Sequence, residues 1–325
     1  MNSTAMTALG PVSVDQLGLT TAHEHLLWGA PGWEFDVTYR YDRDEVAARC
    51  VKEIKEAQAA CGLQTIMDAT PSDLPRDPEF YKIVQGETGV NIILTTGLFN
   101  EAEGSSCYWK YQLTFFGYDE AVKRLTESYM REVQVGICNT DVKSGMLKVA
   151  TGKGCITQYE AACMEAVAIT HKETGLPIIS HTTDSTMGVE MADFLLERGA
   201  DPKKTMIGHM SGTDDLDYVE SVLKKGVYIG FDQFGYNHLY PDIKRCENLV
   251  KLVNKGYIRQ ILMGHDYLHY LHGGDVLAAL RPSIPNSSLK GIFTAFNPIL
   301  KEMGLTDEQL RILEVENPRN FFAGA

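Results

Sequence analysis

Basic residues are scarce in this chain: 30 lysines and arginines face 43 aspartates and glutamates in 325 residues, a formal net charge of −13. Nucleic acids and anionic membrane surfaces attract proteins through basic patches, so neither is an expected partner. A neutral or cationic small-molecule substrate fits the balance better. Long apolar runs are missing too. The absence of any stretch of about 18 apolar residues argues against a membrane span. Residues 1–10 lack the basic head and apolar run of a secretory signal, so a cytoplasmic location is expected. The seven cysteines (Cys50, Cys61, Cys107, Cys138, Cys155, Cys163 and Cys246) are odd in number and include no C-x-x-C pair, which excludes a zinc knuckle or a redox dithiol. Reduced thiols, most of them buried as small apolar fillers, are the expectation. No early G-x-G-x-x-G turn marks a dinucleotide fold. There is no low-complexity linker, internal repeat or composition shift, and we read one domain over 1–325.

What is present is a regular alternation. Short Val-, Ile- and Thr-rich runs at 19–27, 65–70, 91–98, 146–151, 177–183, 205–211, 228–234 and 261–267 read as strands. Between them, helical periodicity covers 43–60, 77–88, 119–135, 157–174, 185–198, 216–225 and 242–255, and further helices close the chain near 288–303 and 306–314. Eight strands alternating with helices, with 44% hydrophobic residues to fill a core, predict an α/β fold of the (β/α)8 TIM-barrel class. The longest irregular stretches, 28–42, 100–118, 235–241 and 269–286, each follow a strand. That is the end where barrel enzymes build their sites.

The histidines fall at those strand ends. Thr21-Ala22-His23-Glu24-His25 closes the first strand. Residues i and i+2 of a strand share a face, so His23 and His25 both point to the barrel axis. Two inward histidines are costly to bury without a partner, which favours ligation over a polar core pair. His181 closes strand five, His209 strand six and Asp266 strand eight. Imidazole and carboxylate together suit a divalent metal, zinc first, with manganese, iron or cobalt also possible. Lys148 sits inside the apolar strand Met146-Leu147-Lys148-Val149-Ala150-Thr151. A buried ammonium sheds its proton readily, and the neutral amine can add carbon dioxide to give a carbamate able to bridge two cations. Taken alone, this lysine reads better as one that snorkels out or pairs with a carboxylate.

The motifs H-E-H, L-K-V-A-T-G-K, I-S-H-T, I-G-H-M-S-G-T-D-D, G-F-D-Q-F-G and G-H-D-Y, in this order from Leu19 to Pro318, resemble the phosphotriesterase family of the amidohydrolase superfamily. The resemblance implies a binuclear metal centre at the carboxyl ends of the strands. One divalent ion would be held by His23, His25 and Asp266 and a second by His181 and His209, with carboxylated Lys148 and a hydroxide bridging them. It implies a hydrolase in which that hydroxide attacks a carbonyl or phosphoryl group and Asp266 takes its proton. A homodimer is expected.

The segments around strands six to eight are nearer to the lactonase branch of that family, so a lactone or carboxylic ester is the expected substrate. Phosphotriester or amide hydrolysis is the second reading, and a non-catalytic metal-binding barrel a third. Two positions depart from the branch: Gly212 stands where a relay carboxylate is usual, and Gln233 where an arginine is usual. An amide does not titrate near neutral pH, so Asp266 is expected to pass its proton to the leaving oxygen or to water, with His238 as the one possible substitute carrier. His265 is expected to pack outside the barrel. Phe99, Tyr108, Gln233, Tyr236, His238 and Tyr267 are the candidate substrate contacts, within an aromatic roof that also draws on Trp28, Trp33, Phe35, Trp109, Phe234 and Tyr270. Glu101, Glu103, His238, His269 and His272 could add polar contacts but read better as solvated loop residues.

Overall fold

The computed structural model describes residues 3–273, 279 and 281–325. Residues 274–278 and 280, within the stretch 269–286 read as irregular, lie outside the described residues. The expected strands are present as β3 (Thr20–Gly29), β4 (Thr65–Asp68), β5 (Asn91–Ile93), β6 (Thr95–Gly97), β7 (Met146–Thr151), β8 (Ile178–Thr182), β9 (Thr205–Ile207), β10 (Tyr228–Phe231), β11 (Ile261–Met263) and β12 (Tyr267–His272). All pair in parallel, in the two ladders β11-β10-β9-β8-β7-β6 and β12-β3-β4-β5.

Two broken strands join these ladders into one ring. β5 pairs with β4 and β6 with β7, and they are halves of a single strand interrupted at Leu94, whose carbonyl accepts from the amides of Gly145 and Met146. β11 pairs with β10 and β12 with β3, and the gap between them is spanned by the Asp266 amide donating to the His23 carbonyl at 2.8 Å. Each strand of the ring contributes one inward residue to a shared interior: Ala22, Met67, Ile93, Met146, Ile179, Met206, Tyr228 and Leu262. The barrel is thus a packed core rather than a pore. A short hairpin, β1 (Thr4–Thr7) with β2 (Gly10–Ser13), plugs its floor together with Phe321 and Phe322. The hairpin escapes the sequence reading because four-residue polar strands carry almost no periodic signal.

The helices pack outside. α1 (Arg43–Cys61), α2 (Pro78–Thr88), α3 (Cys107–Phe116), α4 (Tyr118–Gln134), α5 (Gln158–Thr174), α6 (Gly188–Glu197), α7 (Leu216–Leu223) and α8 (Asp242–Asn254) follow the strands in order. Half of these starts are capped: Asp42, Asp77 and Asp215 accept from amides of the first turn, and Thr157 with Glu160 forms a capping box on α5. Two segments read as irregular are ordered. Residues 107–116 form α3, and β12 runs on through His272 because it finds a partner in β3. The cysteines depart from expectation as well: Cys50, Cys163 and Cys246 are buried, but Cys107, Cys138 and Cys155 reach the surface. Among the described residues no helix is long and apolar enough to cross a membrane.

Burial also leaves a titratable group in this shell. Glu314 is 6% exposed. Desolvation pushes its carboxyl up to about 7, with the Asn297 amide, donating at 2.7 Å, pulling the other way. A carboxyl raised in the folded state contributes stability that is complete below its ordinary value and is lost as pH rises through the raised one. Glu314→Gln keeps the acceptor and removes the charge. Calorimetry should find its Tm above that of the wild type by roughly 2 °C or more near pH 8, with the gap shrinking near pH 5. A gap independent of pH would refute this account.

Candidate metal centre

The polar layer sits directly above the apolar floor. On β7 Met146 faces the floor and Lys148 lies two residues above it, and on β8 Ile179 and His181 repeat the pattern. β3 needs a local irregularity. Its register against β4 shifts between Thr21 and Glu24, Ala22 faces inward, and the Thr21 hydroxyl bonds the Glu24 carboxylate outside the ring. This bulge brings His23 onto the inner face above Ala22, and His25 follows at i+2. Outside, Glu24 accepts from His265 at 2.9 Å, and His265 Nε2 accepts the Ile292 amide at 2.8 Å, so His265 faces away from the site.

His209, Gln233 and Asp266 follow the ends of β9, β10 and β11, with φ of 59°, 61° and 55°. Left-handed backbone is unfavourable for side chains with a Cβ and is held only where surroundings impose it. It turns His209 inward, where simple alternation after outward-facing Ile207 and inward-facing Gly208 would send it out. A Cβ at Gly208 would lie 2.0 Å from the Ser180 carbonyl oxygen, and one at Gly264 would lie 2.8 Å from the His23 amide nitrogen. Glycine at these places leaves room for the rings of His23 and His209, stacked 4.8 Å apart.

The hydrogen bonds fix which nitrogen of each ring is free. Asp232, fully buried, accepts from His23 Nδ1 at 3.0 Å and His209 Nδ1 at 2.9 Å. A carboxylate only accepts, so both Nδ1 atoms carry the proton and each ring in its neutral form leaves its Nε2 lone pair bare. At His209 burial favours that form, while Asp232 and Asp266 pull the imidazole above its ordinary range. The Thr70 hydroxyl donates to the Leu27 carbonyl and so accepts from His25 Nδ1 at 2.9 Å, baring His25 Nε2. The Thr183 hydroxyl donates to Glu103 and so accepts from His181 Nε2 at 3.2 Å, baring His181 Nδ1. The bare atoms face each other. His209 Nε2 and His181 Nδ1 are 2.9 Å apart, His23 Nε2 is 3.1 Å from Lys148 Nζ, and His25 Nε2 is 3.3 Å from an Asp266 oxygen. Ligand atoms of His23, His209 and Asp266 lie within 4.8 Å of one another. Lone pairs at such a separation need a proton or a metal ion between them, and imidazole nitrogens gathered with a carboxylate suit a divalent metal.

Charge agrees with this. Burial, reinforced by Lys148, lowers His23 to about 3, and burial lowers His181 to about 4, so both rings are neutral near pH 7. Burial also brings the Lys148 ammonium down to about 8, against the pull of Asp266, Asp232 and Asp68. Asp266 stays well below the usual carboxylate range: burial opposes ionisation, but His209, His25 and His23 outweigh it.

The candidate substrate contacts fare unevenly. A cleft of about 240 Å³ opens beside His181 and His209, walled by Glu103, Thr183, Asp184, Ser185, Gly212 and Gln233. Gln233 Nε2 also donates to Asp266 Oδ2 at 3.3 Å. Phe99 packs its ring 4.9 Å from His181, and Tyr236 spends its hydroxyl on the Asp266 carbonyl. Tyr108 and His238 are exposed and do not line the cleft. Tyr267 corrects the sequence reading: it faces away from the site, with Arg281 donating to its hydroxyl, because its neighbour Asp266 takes the inner face. Glu103 is exposed on its loop as expected, though tied down there, whereas His269 and His272 are buried rather than solvated. Glu103 accepts from Thr183 and Asn100, His269 is held by Glu53, and His272 is 5% exposed. The sequence reading missed the roles of Asp232, Thr70 and Glu103. For Asp232 a signal existed, since it lies at i+2 and i+4 from inward Gly230 and Tyr228.

Comparison with known proteins agrees with the geometry. The profile of the phosphotriesterase family matches residues 3–322. An aryldialkylphosphatase of Saccharolobus solfataricus is 32% identical over 94% of this chain and 95% of its own. A phospho-furanose lactonase of Mycoplasmopsis synoviae is 31% identical over 99% and 92%. The solved organophosphorus hydrolase of Deinococcus radiodurans superposes with a TM-score of 0.93 at 35% identity, covering 99% of this chain and 97% of that one.

Partners that orient metal-bound imidazoles typically contribute 10- to 100-fold in affinity. Zinc titration of the apoprotein should show about two ions bound per chain, and Asp232→Asn should weaken the tighter step by roughly 10- to 100-fold. Unchanged affinity in a folded variant would refute the orienting role.

Proposed function

This chain belongs to the phosphotriesterase family of the amidohydrolase superfamily, and we propose that it is a binuclear metal hydrolase acting on a lactone or carboxylic ester. It is a hydrolase by family. The observation that carries the metal assignment is the convergence of bare imidazole nitrogens, with every opposite nitrogen already committed. His23, His25 and Asp266 would hold one divalent ion and His181 and His209 the other. Lys148 would be carboxylated between them, its Nζ forming a bond to the carbon of CO2 as a proton leaves. Zinc is our first choice, with manganese, iron or cobalt as alternatives. Such ions supply Lewis acidity and lower the pKa of a shared water.

The chain's own residues do the rest. Asp266 accepts the proton lost by water and delivers it toward the leaving oxygen, held in place by Gln233 and by the Tyr236 bond to its carbonyl. The cleft is small and lined by hydroxyls, carboxylates and an amide, which suits a compact polar acyl substrate better than an aryl dialkyl phosphate. The names of the relatives span both chemistries, lactone and phosphotriester. Among aliphatic lactones, esters and paraoxon, a lactone or ester should give the highest kcat/KM. Asp266→Asn should lose at least about 10² to 10⁴ in kcat, most for poor leaving groups. Faster cleavage of paraoxon than of any lactone or ester would reverse the substrate assignment.

We read the chain as one domain that pairs with a second copy of itself. Phe35 and Val37 are 81% and 94% exposed, and Tyr111 and Phe115 stack openly on α3, which buries none of its own residues. Large exposed apolar side chains such as these are where a partner surface would pack. Sedimentation should find a dimer, and a folded Phe35→Asp/Phe115→Asp variant should be monomeric. A wild-type monomer at micromolar concentration would overturn the pairing.

A further inference from the structure

On the outer rim of the barrel mouth, away from the histidine cluster, lies a second cavity of about 390 Å³. Its walls include Leu27, Trp33, Tyr41 and Pro75, with Arg76 and His272 reaching it from opposite elements. His272 is 5% exposed, and among the described residues neither of its ring nitrogens has a hydrogen-bond partner. Arg76 Nε is likewise buried and unpartnered. Buried polar groups in folded proteins are nearly always satisfied, so two such side chains on one cavity call for an explanation.

Neighbouring charges do not supply it. The Asp77 carboxylate is already engaged by the Tyr41 hydroxyl at 3.2 Å and by Arg43 Nε at 2.5 Å. The remaining nitrogens of Arg76 are bound to Glu132 at 2.8 and 2.7 Å and to the Thr95 carbonyl at 3.0 Å, so its charge is balanced while its buried Nε–H is left over. Aromatic rings surround His272: Trp33 with centroids 4.2 Å apart, Tyr41 at 4.7 Å and Tyr270 at 5.2 Å. Burial lowers the His272 imidazole to about 4, which leaves it neutral near pH 7, one nitrogen a donor and the other an acceptor.

The cavity therefore presents aromatic and aliphatic walls, a neutral donor–acceptor pair and one further donor, with the adjoining charges paired among themselves. A charged ligand would lose its hydration without finding a free counter-charge. A flat apolar body bearing a hydroxyl fits each feature: the ring stacks on Trp33 or Tyr41, and the hydroxyl answers His272 or Arg76. We propose that this cavity is a binding site for a small uncharged aromatic molecule carrying a hydroxyl group, distinct from the site of hydrolysis.

The probes are phenol and its near-isostere toluene, titrated calorimetrically into the intact protein near pH 7. Phenol should bind saturably at one site and more tightly than toluene by about tenfold, and a phenol-soaked crystal should place its ring beside Trp33. His272→Leu should bring the two affinities to within about threefold while leaving the fold intact. The wild-type comparison stands without that variant should it fail to fold. Absence of saturable phenol binding would mean that water alone satisfies His272 and Arg76, and would overturn the proposal. Equal affinity for toluene, or phenol bound only at the histidine cluster, would overturn it as well.

Discussion

One carboxylate organises the candidate centre. Asp232 accepts from His23 on β3 and from His209 after β9, so a single buried anion fixes the tautomer of two rings carried by distant strands. Its own ionisation is secured in return: burial opposes the charge, but His209 and His23 hold the carboxyl far below its ordinary range. The arrangement works only if the barrel is closed, because β3 and β9 do not neighbour each other in either ladder. Closure in turn depends on the interruptions at Leu94 and at 264–266, where strands change partners. Ring geometry, tautomer and the direction of the lone pairs are thus consequences of one topology.

The legible part of the sequence was what periodicity and residue type encode. Alternation marks His23, His25, Lys148 and His181 as inward, and Val- and Ile-rich runs locate the strands of the ring other than β12. His209 was legible only because it ends a strand, since its inward aim comes from a left-handed turn that no periodic rule anticipates. The break of residues 91–98 at Leu94 was hidden for a related reason. A strand that changes neighbours keeps its composition, and the change is written in the partners. His272 was misread because residues 269–272 look like loop until β3 is seen beside them.

Local rules fail where the site is built. The non-glycine residues at positive φ include His209, Gln233 and Asp266 at strand ends and Asp184, Ser185 and Met187 on the loop after β8. Each of these conformations costs folding free energy. They are affordable here because the apolar floor and outer shells are fully packed beneath them, and mismatch between local preference and global fold is expected at functional sites.

The same strained turns shape the route for the proton in the proposed reaction. A Cβ at Gly212 would meet the Ser185 hydroxyl at 2.8 Å, so Ser185 occupies the space where a side chain at that position would begin. That hydroxyl is committed to the His209 carbonyl and offers Asp266 no carboxylate to relay through. Gln233, from its left-handed turn, presents an N–H to Asp266. An amide donor stabilises the ionised carboxylate and cannot take a proton away. His238, the remaining titratable candidate on this loop, is exposed and outside the cleft. The surroundings of Asp266 therefore hold it ready to receive a proton and, among the described residues, provide no second carrier. Direct transfer to the leaving oxygen or to water follows from that arrangement, and it favours substrates small enough to bring the leaving oxygen close to Asp266.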